Sequence, residues 1–257
     1  MKRVWRHFLA GLSLLAGGSV IAMACVHDDS TIFVQSVLSP PLVTPGSSCV
    51  FTSDPTQTML PEGTLDVDLK GHEYVAEFLI ANQIVARADP TKPSTETSYV
   101  SIQGATIRIT DSQGNQIGDF TQLASVTIPP SVGTTPGFAP LGLTILDHKT
   151  VERADVLDAL KGGATRRLIT YTRFFGQTLG GISVQSDEYE FPITVCAGCL
   201  IRYSSMDIDP NLPSPNCFFA LQGAGGGTGA ASTLPIPCIF GQDFAVDCSQ
   251  CLGDTAC

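Results

Sequence analysis

Tyr74-Val75-Ala76-Glu77-Phe78-Leu79-Ile80-Ala81-Asn82-Gln83-Ile84-Val85 is the stretch on which the fold turns. Read with a period of two, Tyr74, Ala76, Phe78 and Ile80 share one face, and Val75, Leu79 and Ala81 the other, with Glu77 among them. A helix competes for the same residues, because Ala, Glu and Leu favour it. The β-branched residues and the turn signals on either side decide for a strand. Both faces are largely apolar, which predicts a central strand covered on two sides rather than a half-wetted edge.

Outward from this strand the pattern stays β. Ile32, Val34 and residues 36–38 read as a first strand stopped by Pro40-Pro41, and residues 46–55 as a turn-rich segment carrying the isolated Cys49. Leu65, Val67 and Leu69 alternate with Asp66, Asp68 and Lys70, which predicts a strand with one wet face. Between residues 99 and 110 the apolar positions change phase. Val100 and Ile102 are even-numbered, whereas Ala105, Ile107 and Ile109 are odd. Gly104 sits at the switch, and a one-residue bulge there would return both halves to a common core face. Ser112-Gln113-Gly114-Asn115 predicts a hairpin turn into residues 116–120, and residues 123–128 a further short strand.

A Pro/Gly loop follows over 129–140, then a strand over 141–146. Thr150 is placed to cap one helix, with Glu152 in its first turn, Lys161 in its last and Gly162 at its left-handed C-cap. Val156, Leu157 and Leu160 give it a narrow apolar stripe. Residues 166–175 and 182–195 complete the strands, and Pro192 predicts that the last one runs at an edge. The sum is a mainly β chain: an immunoglobulin-like antiparallel β-sandwich over residues 31–195 with one inserted helix. After Val195 the character changes. Residues 196–257 hold seven of the nine cysteines, five prolines and a glycine tract over 223–230, which predicts a loop-rich module held by disulfides.

The compartment is written at the other end. Lys2, Arg3 and Arg6 precede an uncharged run over residues 8–24 that is short for a bilayer-spanning helix and interrupted by glycines. This is the pattern of a signal peptide over 1–24. Ala22-Met23-Ala24-Cys25 resembles a lipobox with Ala in place of the usual Leu. Residues 25–30 would then be a lipidated N-terminus and a short spacer. Cysteine parity agrees: with Cys25 acylated, Cys49, Cys196, Cys199, Cys217, Cys238, Cys248, Cys251 and Cys257 form an even set that can all pair. Seven tail cysteines cannot all pair among themselves, so Cys49 should be joined to one of them. Cys196 and Cys199 are the favoured partners because they leave the sandwich directly.

This opening resembles that of bacterial lipoproteins, and residues 74–87, 97–110 and 190–200 are similar to a type of cysteine-rich bacterial lipoprotein. The resemblance implies acylation of Cys25 and exposure in the cell envelope, on the periplasmic or outer surface. It brings no activity with it.

Charge narrows the partners. The whole chain carries −10 at pH 7, and loss of residues 1–24 removes three basic residues and no acid. Such a chain repels nucleic acid, and no basic cluster interleaved with aromatics offsets this. Attachment to a membrane must therefore come from the lipid on Cys25 rather than from charge.

The motifs that carry chemistry are few. Cys196-Ala-Gly-Cys199 and Cys248-Ser-Gln-Cys251 have the spacing of a four-thiolate zinc site, against which stand disulfides in an exported protein. Leu200 and Leu252 stand where covalent haem attachment needs His. His72-Glu73 begins a zinc-protease motif, but Ala76 replaces its second histidine. Asp207-Ile208-Asp209-Pro210-Asn211 opens like a calcium loop, but Leu212 and Phe218 replace its glycine and glutamate. No G-x-S-x-G occurs, the glycine tract lacks a P-loop ending, and His27, His72 and His148 show no partner in the sequence. The expectation is a non-enzymatic envelope module without catalytic residues, metal or cofactor, binding an envelope protein or glycan. The alternative is an exported zinc protein or enzyme built on the CxxC pairs.

Overall fold

The structure is a computed structural model, and it describes residues 30–44, 47–69, 72–87, 96–203, 211 and 235–248. Two main sheets lie over one core. The first contains β1 (Ile32–Leu38), β3 (Met59–Leu60), β5 (Tyr74–Asn82) and β8 (Gly137–Leu146) in the order β3-β1-β5-β8. The second contains β4 (Gly63–Asp66), β6 (Val100–Asp111), β7 (Gln116–Ile128), β9 (Arg166–Thr178) and β11 (Tyr189–Cys196) in the order β4-β11-β9-β6-β7. β10 (Ser183–Gln185) extends the side of β9 that β11 also lines. Neighbours in both sheets are antiparallel except β4 and β11, which run parallel.

β5 is central, between β1 and β8, and Tyr74, Ala76, Phe78 and Ile80 enter the core between the sheets. Its reverse face is covered too, since Leu79 and Ala81 are fully buried. That double burial is why an alternating strand reads as nearly continuous apolar sequence. Rings tie the two sheets together. Phe78 meets Phe174 of β9 edge-on at 5.1 Å and Tyr189 of β11 at 6.0 Å, and Tyr74 lies 6.0 Å from Phe191. Such pairs add about 0.5–1.5 kcal/mol each beyond the area they bury.

The phase switch in β6 is a bulge. Its register shifts between Ile102 and Gly104 against both β7 and β9, and Val100, Ile102, Ala105, Ile107 and Ile109 all end in the core. A Cβ on Gly104 would lie 2.5 Å from the Gln122 carbonyl oxygen and 2.9 Å from the Phe175 ring, so the bulge needs the missing side chain.

Several local expectations are corrected. The single helix is two short ones, α1 (His148–Val151) and α2 (Ala154–Ala159). They part at Arg153, whose backbone is extended (φ −59°, ψ 135°) while its guanidinium binds Asp155 and the Ile117 carbonyl. The cap is Asp147, which accepts from the Thr150 amide and hydroxyl; Thr150 itself is buried one turn inside. Residues 116–128 are one strand, not two, because Thr121 and Gln122 stay paired with Thr106 and Ala105. The strand begun at Leu65 stops at Asp66. Residues 182–195 divide into β10 and β11, and β11 is not an edge. Its ladder with β4 begins at Ile193, one residue past Pro192, so the missing amide interrupts no bond on that side.

The strands define two ends. Residues 74, 111, 146, 166 and 196 gather at one, and residues 32, 82, 100, 128, 137 and 178 at the other.

Candidate functional site

Side-chain chemistry collects at the first of these ends, where the C-terminal segment docks. Asp66 ends β4 and is fully buried. Its carboxylate accepts from the amides of Gly198 and Leu200, both at 2.7 Å, and of Asp68 at 3.1 Å. A buried carboxylate that collects amides in this way is a charge-assisted clamp. It holds the turn over 196–200, in which Gly198 adopts φ +71° and Cys196 is bonded to Cys199. Cys196 is buried and Cys199 exposed. Beyond the turn, β12 (Ile201–Arg202) pairs in parallel with β14 (Val246–Asp247). Leu69, Leu200 and Val246 close a small second core there.

A second carboxylate does the same for residues 241–243. Asp243 has φ +62° and receives the Tyr74 hydroxyl at 2.9 Å on each oxygen and the Thr64 amide at 2.9 Å. Burial pushes the Asp243 carboxyl up to about 6, against the opposing pull of the Thr64 amide and the Tyr74 hydroxyl. Burial, then the facing Asp243 charge, raises the Tyr74 hydroxyl well above the ordinary tyrosine range. Gln242 is buried beside them and donates to the Glu73 carbonyl at 3.4 Å.

The third fastening is covalent. β13 (Ile236–Pro237) pairs with β2 (Leu42–Val43), and this brings Cys238 to Cys49 with Cα atoms 5.6 Å apart. Cys49 is thus bonded to a tail cysteine, but to Cys238 and not to Cys196 or Cys199. Those two close their own short loop over Asp66. Cys248 is disulfide-bonded as well. Cys25, Cys217, Cys251 and Cys257 lie outside the described residues, as do His27, Asp207, Asp209 and the glycine tract. A zinc site on the CxxC pairs would need Cys196, Cys199 and Cys248 as free thiolates, and here each is in a disulfide.

The same end brings together two histidines that show no partner in the sequence. His148 Nε2 lies 2.9 Å from Glu152 Oε2, and His72 Nδ1 lies 3.6 Å from Glu152 Oε1. The imidazoles are stacked with centroids 5.5 Å apart. The four-residue step from His148 to Glu152 was the one visible signal, since such residues face each other across a helical turn. Nothing local announces Asp66, Asp243 or Tyr74.

At the opposite end a cavity of about 260 Å³ lies among Thr31, Ile84, Ser98, Thr178, Ile182 and Val184. It is smaller than ordinary small-molecule pockets and holds no acid–base pair. Apolar side chains project from the turns at this end: Val85, Val132, Leu179 and Ile182 are 56% to 78% exposed.

No protein-family model matches the chain, and no curated protein matches it. Among solved structures, a protein from Arabidopsis thaliana aligns at 16% identity with a TM-score of 0.29, covering 58% of this chain and 91% of that one. A putative late embryogenesis abundant protein aligns at 13% identity and TM-score 0.24, covering 51% and 70% respectively. Overlaps this slight carry no argument about fold or activity.

Proposed function

We propose that the protein is an exported cell-envelope lipoprotein, anchored through Cys25, whose immunoglobulin-like sandwich is a non-enzymatic binding or structural module for an envelope protein or glycan. The observation that carries this reading is the state of the cysteines. Cys49, Cys196, Cys199, Cys238 and Cys248 are all in disulfides, and such bonds persist in oxidising compartments outside the cytoplasm. The signal pattern and the lipobox-like Ala22-Met23-Ala24-Cys25 supply the route there and the anchor. The acidic net charge is consistent with attachment by acyl chains, two or more of which hold a protein stably on a bilayer.

The test is phase partitioning of the protein expressed with its own leader. Wild type enters the detergent phase and its N-terminal peptide carries acyl mass on Cys25. The Cys25→Ala variant moves to the aqueous phase. Aqueous wild type with an unmodified N-terminal peptide overturns the anchor.

A further inference from the structure

We infer that His72, His148 and Glu152 form a binding site for a divalent transition-metal ion of the zinc, copper or nickel class. His72 stands two residues before Tyr74, and His148 two residues after Leu146, and Tyr74 and Leu146 are paired neighbours in the β5–β8 ladder. The sheet register therefore fixes the spacing of the two imidazoles. Glu152 is carried one turn beyond His148 as the C-cap of α1, so the third donor is set by the same short helix. His72 Nδ1, His148 Nε2 and a Glu152 oxygen all lie within 4.8 Å of one another.

Donors around a tetrahedral ion with bonds of 2.0–2.1 Å sit about 3.3 Å apart. The two histidine–carboxylate separations, 3.6 and 2.9 Å to the two Glu152 oxygens, bracket that value. His72 Nδ1 is shielded from water, has no hydrogen-bond partner and faces the cluster. One shared cation would be held by both rings and the carboxylate at once. Two imidazoles and one carboxylate suit zinc, copper and nickel, and are poor ligands for calcium or magnesium, which take oxygen donors. The three side chains are 36%, 58% and 48% exposed, so the remaining coordination positions open to solvent and can take water or a donor from a bound partner. The site uses no cysteine and is compatible with every disulfide described.

Calorimetry on the purified, oxidised full-length protein, stripped with a chelator and titrated with zinc chloride, tests this. One equivalent of zinc is expected to bind. The variants His72→Ala and His148→Ala each weaken it by roughly tenfold or more, since even changes behind the ligands cost that much. Both variants keep the metal-free melting temperature of the wild type, as expected of exposed side chains. Cobalt at the same site gives a spectrum without a thiolate charge-transfer band. No saturable zinc binding, binding indifferent to both histidine variants, or a thiolate band would each overturn the proposal.

Discussion

At the end of the sandwich where β5 begins, loops are fastened by residues distant in the chain. Asp66 holds the turn at 198–200, Asp243 holds Tyr74 and Thr64, and Cys238 is bonded to Cys49 across a separation of 189 residues. At the end where β5 finishes, a carboxylate also collects amides, but over shorter separations: Glu96 accepts from the amides of Arg87 and Ser98, both at 2.7 Å. Asn82 spans the Ser98 and Pro129 carbonyls, short turns follow, and Val85, Val132, Leu179 and Ile182 project into solvent. Ser30, five residues past Cys25, stands on this second side, bonded to Asp187. The contrast is one of reach: the first end fastens a tail across long stretches of sequence, whereas most ties at the second join segments nearer in the chain.

The largest test of that contrast removes a covalent tie. In the loop-entropy model the Cys49–Cys238 bond is worth about 5 kcal/mol, because it closes a very long loop. The Cys196–Cys199 bond closes a minimal one, worth about 2 kcal/mol on the same scale. The double variant Cys49→Ala/Cys238→Ala should lower the denaturant midpoint far more than Cys196→Ala/Cys199→Ala. Equal losses would mean that the tail is held by its non-covalent contacts alone.

The half of the molecule nearer the apolar tips depends on backbone shape, and Gly104 probes it. Gly104→Val sets side-chain atoms against the Gln122 carbonyl and the Phe175 ring, and an overpacked position of this kind costs about 1–3 kcal/mol. An unchanged melting temperature would show that the bulge can move aside.

An effect of comparable size, about 1–3 kcal/mol, belongs to Asp243 and sharpens the comparison through pH. Its folded value of about 6 lies above the ordinary 3.8, so the folded protein holds this proton more tightly than the unfolded chain. The associated stability is fully present below about pH 4 and is lost as pH rises through 6. Glu77, half-buried on β5 and raised to about 7 by burial, acts in the same direction. Thermal stability should therefore rise on acidification from pH 8 to 5, and Asp243→Asn should flatten the Asp243 share of that rise. A melting temperature that falls over this interval would contradict both assignments.

The parts of this architecture that were legible in the sequence are those set by neighbours a few residues apart. The alternation in residues 74–82 and the change of phase at Gly104 survive folding because strand faces are a local property with period two. The break between α1 and α2 was not legible, since Arg153 reaches a carbonyl 36 residues earlier in the chain. Asp66 read as the wet face of an alternating strand, because a carboxylate destined for water and one destined for amides 132 and 134 residues away look alike in sequence. His72 and His148 met only through the register of β5 on β8. The site at this end is a product of topology, and only the i, i+4 step to Glu152 left a trace.

The bond from Cys49 to Cys238 also changes what a broken backbone means for this molecule. A protease cutting anywhere between Cys199 and Cys238 would not set the C-terminal piece free, because that piece remains joined through Cys238 to the start of the sandwich. Asp243 would stay on Tyr74, and β14 beside β12, across the gap. The nicked protein is then two polypeptides sharing one fold.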